Sequence, residues 1–294
     1  MSALPLLALA AAAAAQTFDP SGAVQDLSRT AAARPAVIVD AGSIGSWYRK
    51  IASTDGTDYD GISASGVMPF PAFDPARMHR ASSGEAAYTE GPLDNPGVYI
   101  GAHAQGREVD AGYKWDHRYD AQGRDTGEFA WRLFWRVAAP AGHTWRNPPI
   151  GSAQDVYLKP GEPFTLTLTV LPGGMARFDA GDVTVAFPLN GFFDGARRLP
   201  RRFKRVHAID QFRVGPDGSR KGNEGSVAVP TRATLEGGRW DSVELFGPDR
   251  VPLTGRRAIE WRGGDCADSY ADVFTNAAPN AAGGEPIVVH PRRP

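Results

Sequence analysis

Two carboxylates stand two residues apart in "GREVDAGYKW", residues 106–115. If this stretch is extended, Glu108 and Asp110 leave the same face of a strand about 7 Å apart. Val109, Ala111, Tyr113 and Trp115 then occupy the other face. Carboxylates at that separation raise each other's pKa, which suits acid–base work, although a solvated outer face carries the same residue types. Gly112, next in the acidic row, leaves open space above the backbone.

A second candidate is "FKRVHAIDQF", residues 203–212. Arg205, His207, Ile209 and Gln211 share one side, and Lys204, Val206, Ala208, Asp210 and Phe212 share the other. Asp210 among apolar neighbours is costly unless an Arg or a hydroxyl meets it. The bland alternative is an Asp–Arg pair that pins a sheet edge. Aromatic residues form the third feature. Trp131 and Trp135 fall in an apolar row and are expected in the core, whereas Trp145, in the "HTWRNPP" loop, is expected to wall a cleft. Glu224, in "GNEG", sits in a loop that could cover a site.

The elements that position these residues are strands. In "EFAWRLFWRV", Phe129, Trp131, Leu133, Trp135 and Val137 oppose Arg132 and Arg136. "EPFTLTLTV" sets Phe164, Leu166, Leu168 and Val170 against Thr165, Thr167 and Thr169, after a Pro-Gly turn. "GVYIGAH", "GDVTVAF" and "GRWDSVELF" continue the series. With 34 Gly and 24 Pro and almost no helical periodicity, the chain is expected to be all-β. The fold class is a two-sheet antiparallel β-sandwich of jelly-roll type.

The 294 residues allow one large β domain. The run "MSALPLLALAAAAAA" (1–15) reads as a signal peptide, too short to span a membrane. Residues 16–95, with one apolar run "AVIVD", read as an irregular N-terminal extension packing on the core, and 96–294 as the β-sandwich domain. "PFPAFDP" reads as loop. A net charge of −1 argues against a nucleic-acid partner. A lone Cys266 forms no internal disulfide and no paired-Cys zinc site. There is no nucleophile elbow, HExxH helix, phosphate loop or dinucleotide fingerprint, so no cofactor and no metal are expected. The mature protein is expected to be secreted or periplasmic.

The strand order resembles the concanavalin A-like lectin and glucanase sandwiches and, within them, the eqolisins (glutamic peptidases). "YIGAHAQGREVDAGYKW", "FAWRLFWRV", "VYLKPGEPFTLTLTV" and "RVHAIDQF" follow the family's order over roughly residues 96–250. Matched residue by residue, the resemblance places the family's catalytic Gln on Asp110 and its catalytic Glu on Gln211. Acid and amide are thus exchanged between two strands. "EVDAGY" supplies only two of the three acids of a glycosidase-type E-x-D-x-x-E run, with Asp210 or Glu224 as the candidate third.

These readings combine into a secreted hydrolase of an extracellular polymer, peptide favoured slightly over glycan. Asp110 activates water, Gln211 holds the oxyanion and Glu108 tunes the acid, all on a concave sheet. His207, Arg205, Trp145, Arg132 and Glu224 contact substrate. The alternatives are a non-catalytic, lectin-like carbohydrate-binding protein, a glycoside hydrolase, or a structural envelope component.

Overall fold

The computed structural model describes residues 45–54, 59–80, 90–104, 107–139, 142–189, 193–194, 197–198, 202–215, 218, 220–221, 228, 230–254, 258–263 and 278–291. The expected signal segment, "AVIVD", Glu224 and Cys266 lie outside the described residues.

The strands of the two large sheets are numbered in chain order. β1 (Ser46–Ser53), β2 (Gly61–Val67) and β3 (Phe70–Ala72) come first. An antiparallel series follows: β4 (Asp94–Ala104), β5 (Arg107–Tyr119), β6 (Asp125–Ala139) and β7 (Gly142–Arg146). Next are β8 (Tyr157–Leu158), β9 (Pro163–Leu171), β10 (Met175–Ala180) and β11 (Val183–Pro188). The last are β12 (Arg202–Gln211), β13 (Thr234–Phe246), β14 (Arg250–Pro252), β15 (Ala258–Gly263) and β16 (Gly283–Val289). The first sheet runs β8-β6-β5-β4-β12-β1-β15, with β7 also on β6. The second runs β11-β10-β9-β2-β13-β14, with β3 and β16 also on β13.

The two sheets pack face to face, as the alternating patterns require. Phe164, Leu166, Leu168 and Val170 of β9 are buried, while the intervening residues are exposed or half-buried. The turn before this strand is closed by the Glu162 amide donating to the Lys159 carbonyl (3.1 Å), with Gly161 at φ 84° where a side chain would be strained. Trp131, Leu133 and Trp135 of β6 fill the opposite wall of the core. Trp135 stacks on Phe187 (5.8 Å between centroids), and Phe164 meets Trp240 edge-on (5.3 Å). Each fully buried side chain of this kind stabilises the fold by about 1.5–3 kcal/mol.

Two expectations need correction. Residues 46–53 and 61–67, inside the region read as irregular, are strands of the two sheets: β1 lies between β12 and β15, and β2 between β9 and β13. The inward row of β1 is Trp47, Arg49 and Ile51, and its central Arg hides the apolar alternation. Phe70–Ala72, read as loop, pairs along β13 over its three residues. Among the described residues no helix is long and apolar enough to cross a membrane.

Candidate functional site

Side-chain alternation gives the first sheet an inner face, against the second sheet, and an outer face. Strand register decides which residues share the outer one. Ala52, Lys204, Gly101, Asp110 and Arg136 form one row across β1, β12, β4, β5 and β6. Arg202, His103 and Glu108 form the row beside it, and Lys50, Val206, Tyr99, Gly112 and Phe134 the row on the other side. Further along lie Tyr48, Ala208, Gly97 and Lys114, then Ser46 with Asp210.

The acidic pair of β5 is thus on the outer face, as its spacing predicts, but neither carboxylate stands alone. Lys204 Nζ contacts Glu108 and lies 2.6 Å from Asp110 Oδ1. Arg136 Nη2 lies 2.7 Å from Glu108 Oε2 and 2.6 Å from Asp110 Oδ2. Lys50 reaches Glu108 at 3.7 Å. Burial pushes the Glu108 carboxyl upward, but Lys204, Arg136 and Lys50 outweigh that push and bring its pKa down to about 2. Burial likewise works against the Arg136 charge, yet Asp110 and Glu108 raise its pKa above the ordinary value. Glu108 is therefore a fixed anion at neutral pH and an ineffective proton donor.

The close approach within this cluster depends on a glycine. A Cβ on Gly101 would fall 2.2 Å from the Val109 carbonyl oxygen, 2.7 Å from Asp110 Oδ1 and 2.8 Å from Lys204 Cε. Gly101→Ala is accordingly expected to destabilise the protein by about 2 kcal/mol. A thermal melt of that variant matching the parent would show that the charged row can shift. Gly112 does not leave open space: its missing Cβ would sit 2.6 Å from Tyr99 Cα and Cβ. Tyr99 lies edge-on to Phe134 at 5.7 Å. Burial, followed by the fields of Asp110 and Asp210, raises the Tyr99 pKa well above the usual phenol value, so the ring stays protonated.

Asp210 finds the hydroxyl that its setting demands, and a cation as well: Ser46 donates to one carboxylate oxygen and Lys114 to the other. Burial raises its pKa, and these two partners more than offset that, leaving it below the ordinary value.

Of the rest of the expected site, Arg132 stands across from Lys114 and Trp145 across from Arg136 in the register, and His207, Gln211 and Arg205 lie elsewhere. His207 and Gln211 belong to the inner row of β12, on the opposite face from Asp110, so the acid–amide pair does not form. Gln211 Nε2 donates to Asp94 Oδ1 (3.0 Å), and Asp94 also receives Arg77 (2.9 Å) and Thr231 (2.7 Å). Arg205 points between the sheets and pairs with Glu285 of β16, which also takes Arg49 Nε at 2.9 Å. His207 accepts from the Trp240 indole (3.2 Å), and burial brings its pKa down to about 3, so it is neutral. Arg132 is buried, 2.9 Å from Asp155 and 3.5 Å from Asp116, with its guanidinium 5.0 Å from the Tyr119 ring centre. It anchors the segment after β7. Trp145 is in strand β7, where its backbone pairs with Arg136, and not in a loop.

The reason for the exchange of faces is legible afterwards. Extending the inner row back to Phe203 shows two large apolar residues in it, Phe203 and Ile209. The outer row has only Val206 and Ala208 between its charges. Lys204, Arg136, Lys50 and Lys114 are the site residues that sequence reasoning missed; their signal was position, since Lys114 shares the even-numbered row of Glu108 and Asp110, and Arg136 opposes the apolar row of β6.

Fold and site together define an antiparallel β-sandwich with an ion-paired polar surface on the outside of one sheet. No family model and no curated protein matches the sequence. Among solved structures the chain is similar to scytalido-glutamic peptidase bound to a peptide-based transition-state analogue: TM-score 0.40, 12% identity, 84% of this chain and 98% of that one. SCP-B, an eqolisin peptidase in complex with a tripeptide, is similar at TM-score 0.37 and 11% identity over 73% of this chain and 85% of that one. An alginate lyase is similar at TM-score 0.18 and 15% identity over 57% of this chain and 60% of that one. At that level of likeness the chemistry of the site has to be read from its own side chains.

Proposed function

We propose that the outer face of the first sheet binds an extended polymer, with glycan favoured over peptide, and that binding itself is the function. The observation that carries this reading is the closed ion-pair network of Glu108, Asp110, Lys204 and Arg136. The half-buried Glu108 and Arg136 present preorganised acceptors and donors to hydroxyl groups, over a buried Lys204 and Asp110, and the network holds Glu108 ionised, away from proton transfer. Among the described residues the apolar members Phe134, Val206 and Ala208 are buried, and Ile259, across from Ala52 on the same face, is exposed. Export to meet an extracellular polymer belongs to the same proposal and rests on the apolar run at residues 1–15.

Hydrolysis of the bound polymer is the second reading, and the specific observation in its favour is the pair of anionic carboxylates on one surface. Asp110 would then act as base or nucleophile beside Lys204 and Arg136. One experiment separates the two. The full chain is incubated with a panel of insoluble polysaccharides and with denatured protein. Loss of the chain from solution is measured alongside new reducing ends and new amino termini. Depletion by a polysaccharide without new ends is the expected result. New ends would replace binding by hydrolysis, and neither depletion nor new ends with any polymer would overturn both.

A further inference from the structure

The outer face of the second sheet carries, at one end, the most exposed large apolar side chain among the described residues: Phe70, at 54%. We propose that this face is a second binding surface, for a neutral, linear polysaccharide lying along β2 and β3. The inference is independent of the reading of the first sheet, whose charged surface is on the opposite side of the sandwich.

The segment that carries Phe70 is fixed from below. Pro69 is buried, its carbonyl accepts from the Trp131 indole (3.1 Å), and a Cβ on Gly238 would fall 2.7 Å from Pro69 Cα. The ring lies against two glycines, one in the turn before β9 and one in the bulge of β13. A Cβ on Gly161 or on Gly237 would come within 3.1 Å of a ring carbon, and both residues have positive φ, 84° and 71°. Space and backbone alike disfavour a side chain at either position. One side of the ring is thus bedded on backbone, and the rest is presented to solvent. An aromatic side chain held in this way loses little freedom when a ligand stacks on it.

Beyond Phe70 the face continues in rows set by register. Pro163, Val67 and Arg239 form the first, Thr165, Ser65 and Ser242 the second, and Thr167, Ser63 and Glu244 the third. At the far end Thr169, Gly61 and Phe246 share a row, and the Phe246 ring covers Gly61, where a Cβ would fall 2.2 Å from its Cζ. The Arg250 guanidinium stands 5.5 Å from that ring's centre, so this end offers an apolar edge beside an exposed donor. β2 and β3 run in one direction along β13. At about 3.3 Å per residue the two rings are on the order of 30 Å apart, room for several sugar units. Outward Ser and Thr are ordinary on any strand, so the rings and the charges decide what lies between them. Asp179 meets Arg177 (2.9 Å), Glu244 meets Arg250 (3.3 Å) and Asp241 meets Arg239 (2.6 Å). Glu236, across from Phe70, meets His290 (3.1 Å). Each of these acids has a partner, so no surplus charge among them draws an ionic chain. A pyranose suits what remains: its C–H face stacks on a ring, and its hydroxyls exchange hydrogen bonds with Ser and Thr.

Nuclear magnetic resonance titration of the full chain with cellohexaose, mannohexaose, polygalacturonate and denatured casein tests this. At least one of the neutral hexasaccharides should move the amide signals of Ser65, Thr165 and Phe70, with little dependence on salt. Phe70→Ala should weaken that binding about fivefold, the worth of one stacked aromatic ring, whereas Phe70→Trp should retain it. Matching thermal melts would show both variants folded. Unchanged affinity in Phe70→Ala, or polygalacturonate binding at these residues as tightly as the neutral chains, overturns the proposal. Casein binding there in place of the sugars would make the face a protein-docking surface and also overturns it, as does the absence of movement at these residues with every probe. The first-sheet reading is judged separately, by shifts at Glu108 and Arg136.

Discussion

Replacing Glu285 by Ala is expected to lower unfolding stability by about 3–5 kcal/mol, a large share of what holds a domain of this kind together. Glu285 lies between the sheets at 4% exposure, and its carboxylate meets Arg49 and Arg205. Those two arginines are themselves 1% and 0% exposed. Burial raises the Glu285 pKa, and Arg205, the first of the compensating charges, brings it below the ordinary value. Without the acid, two guanidinium groups remain in an apolar interior, with Glu260 contacting Arg49 at 2.7 Å. Urea unfolding gives the loss directly. The control is Asp241→Asn, which breaks an exposed pair with Arg239 (2.6 Å) and should cost under about 1 kcal/mol. Equal midpoints for the two variants would mean that the interior cluster contributes no more than a surface contact.

Lys204→Met is expected to have the next largest effect, about 3 kcal/mol, because Glu108 and Asp110 lose the buried one of the two cations they share. Its pH dependence carries a second signature. The folded Glu108 pKa of about 2 lies below the ordinary value of 4.5, so its stabilising contribution is complete above about 4.5 and is lost as pH falls through about 2. Removing Lys204 moves the folded value upward and moves acid unfolding to higher pH. Carbon NMR titration of the Glu108 carboxyl, together with urea midpoints at neutral pH and at pH 3, would measure both parts. An unmoved titration would show that Arg136 and Lys50 alone set the carboxyl.

The sheet framework was legible because period-two alternation is local. The Thr and Leu rows of β9, the Arg and Trp rows of β6, and the shared face of Glu108 and Asp110 are all properties of consecutive residues. Which face turns inward is not local. On β12 the polar row of Arg205, His207 and Gln211 looks like a surface, yet each member is buried against a partner from a distant segment: Glu285, Trp240 and Asp94. Sequence spacing carries no information about those partners, so the inner and outer sides were exchanged, and the Asp110–Gln211 pair fell with them. β1 escaped notice for a related reason. Arg49 occupies an inward position that only the later arrival of Glu285 makes tolerable.

Neighbouring residues of β12 serve two unlike environments, Lys204 outside and Arg205 inside. A slip of one position would turn every such residue over at once. The misaligned strand would strand a guanidinium outside its acid and press an ammonium into the interior, so faulty pairings of this strand are penalised twice. The ion pairs thus act as a combination lock on alignment, and β12 should be the last strand of the sheet to tolerate an inserted or deleted residue.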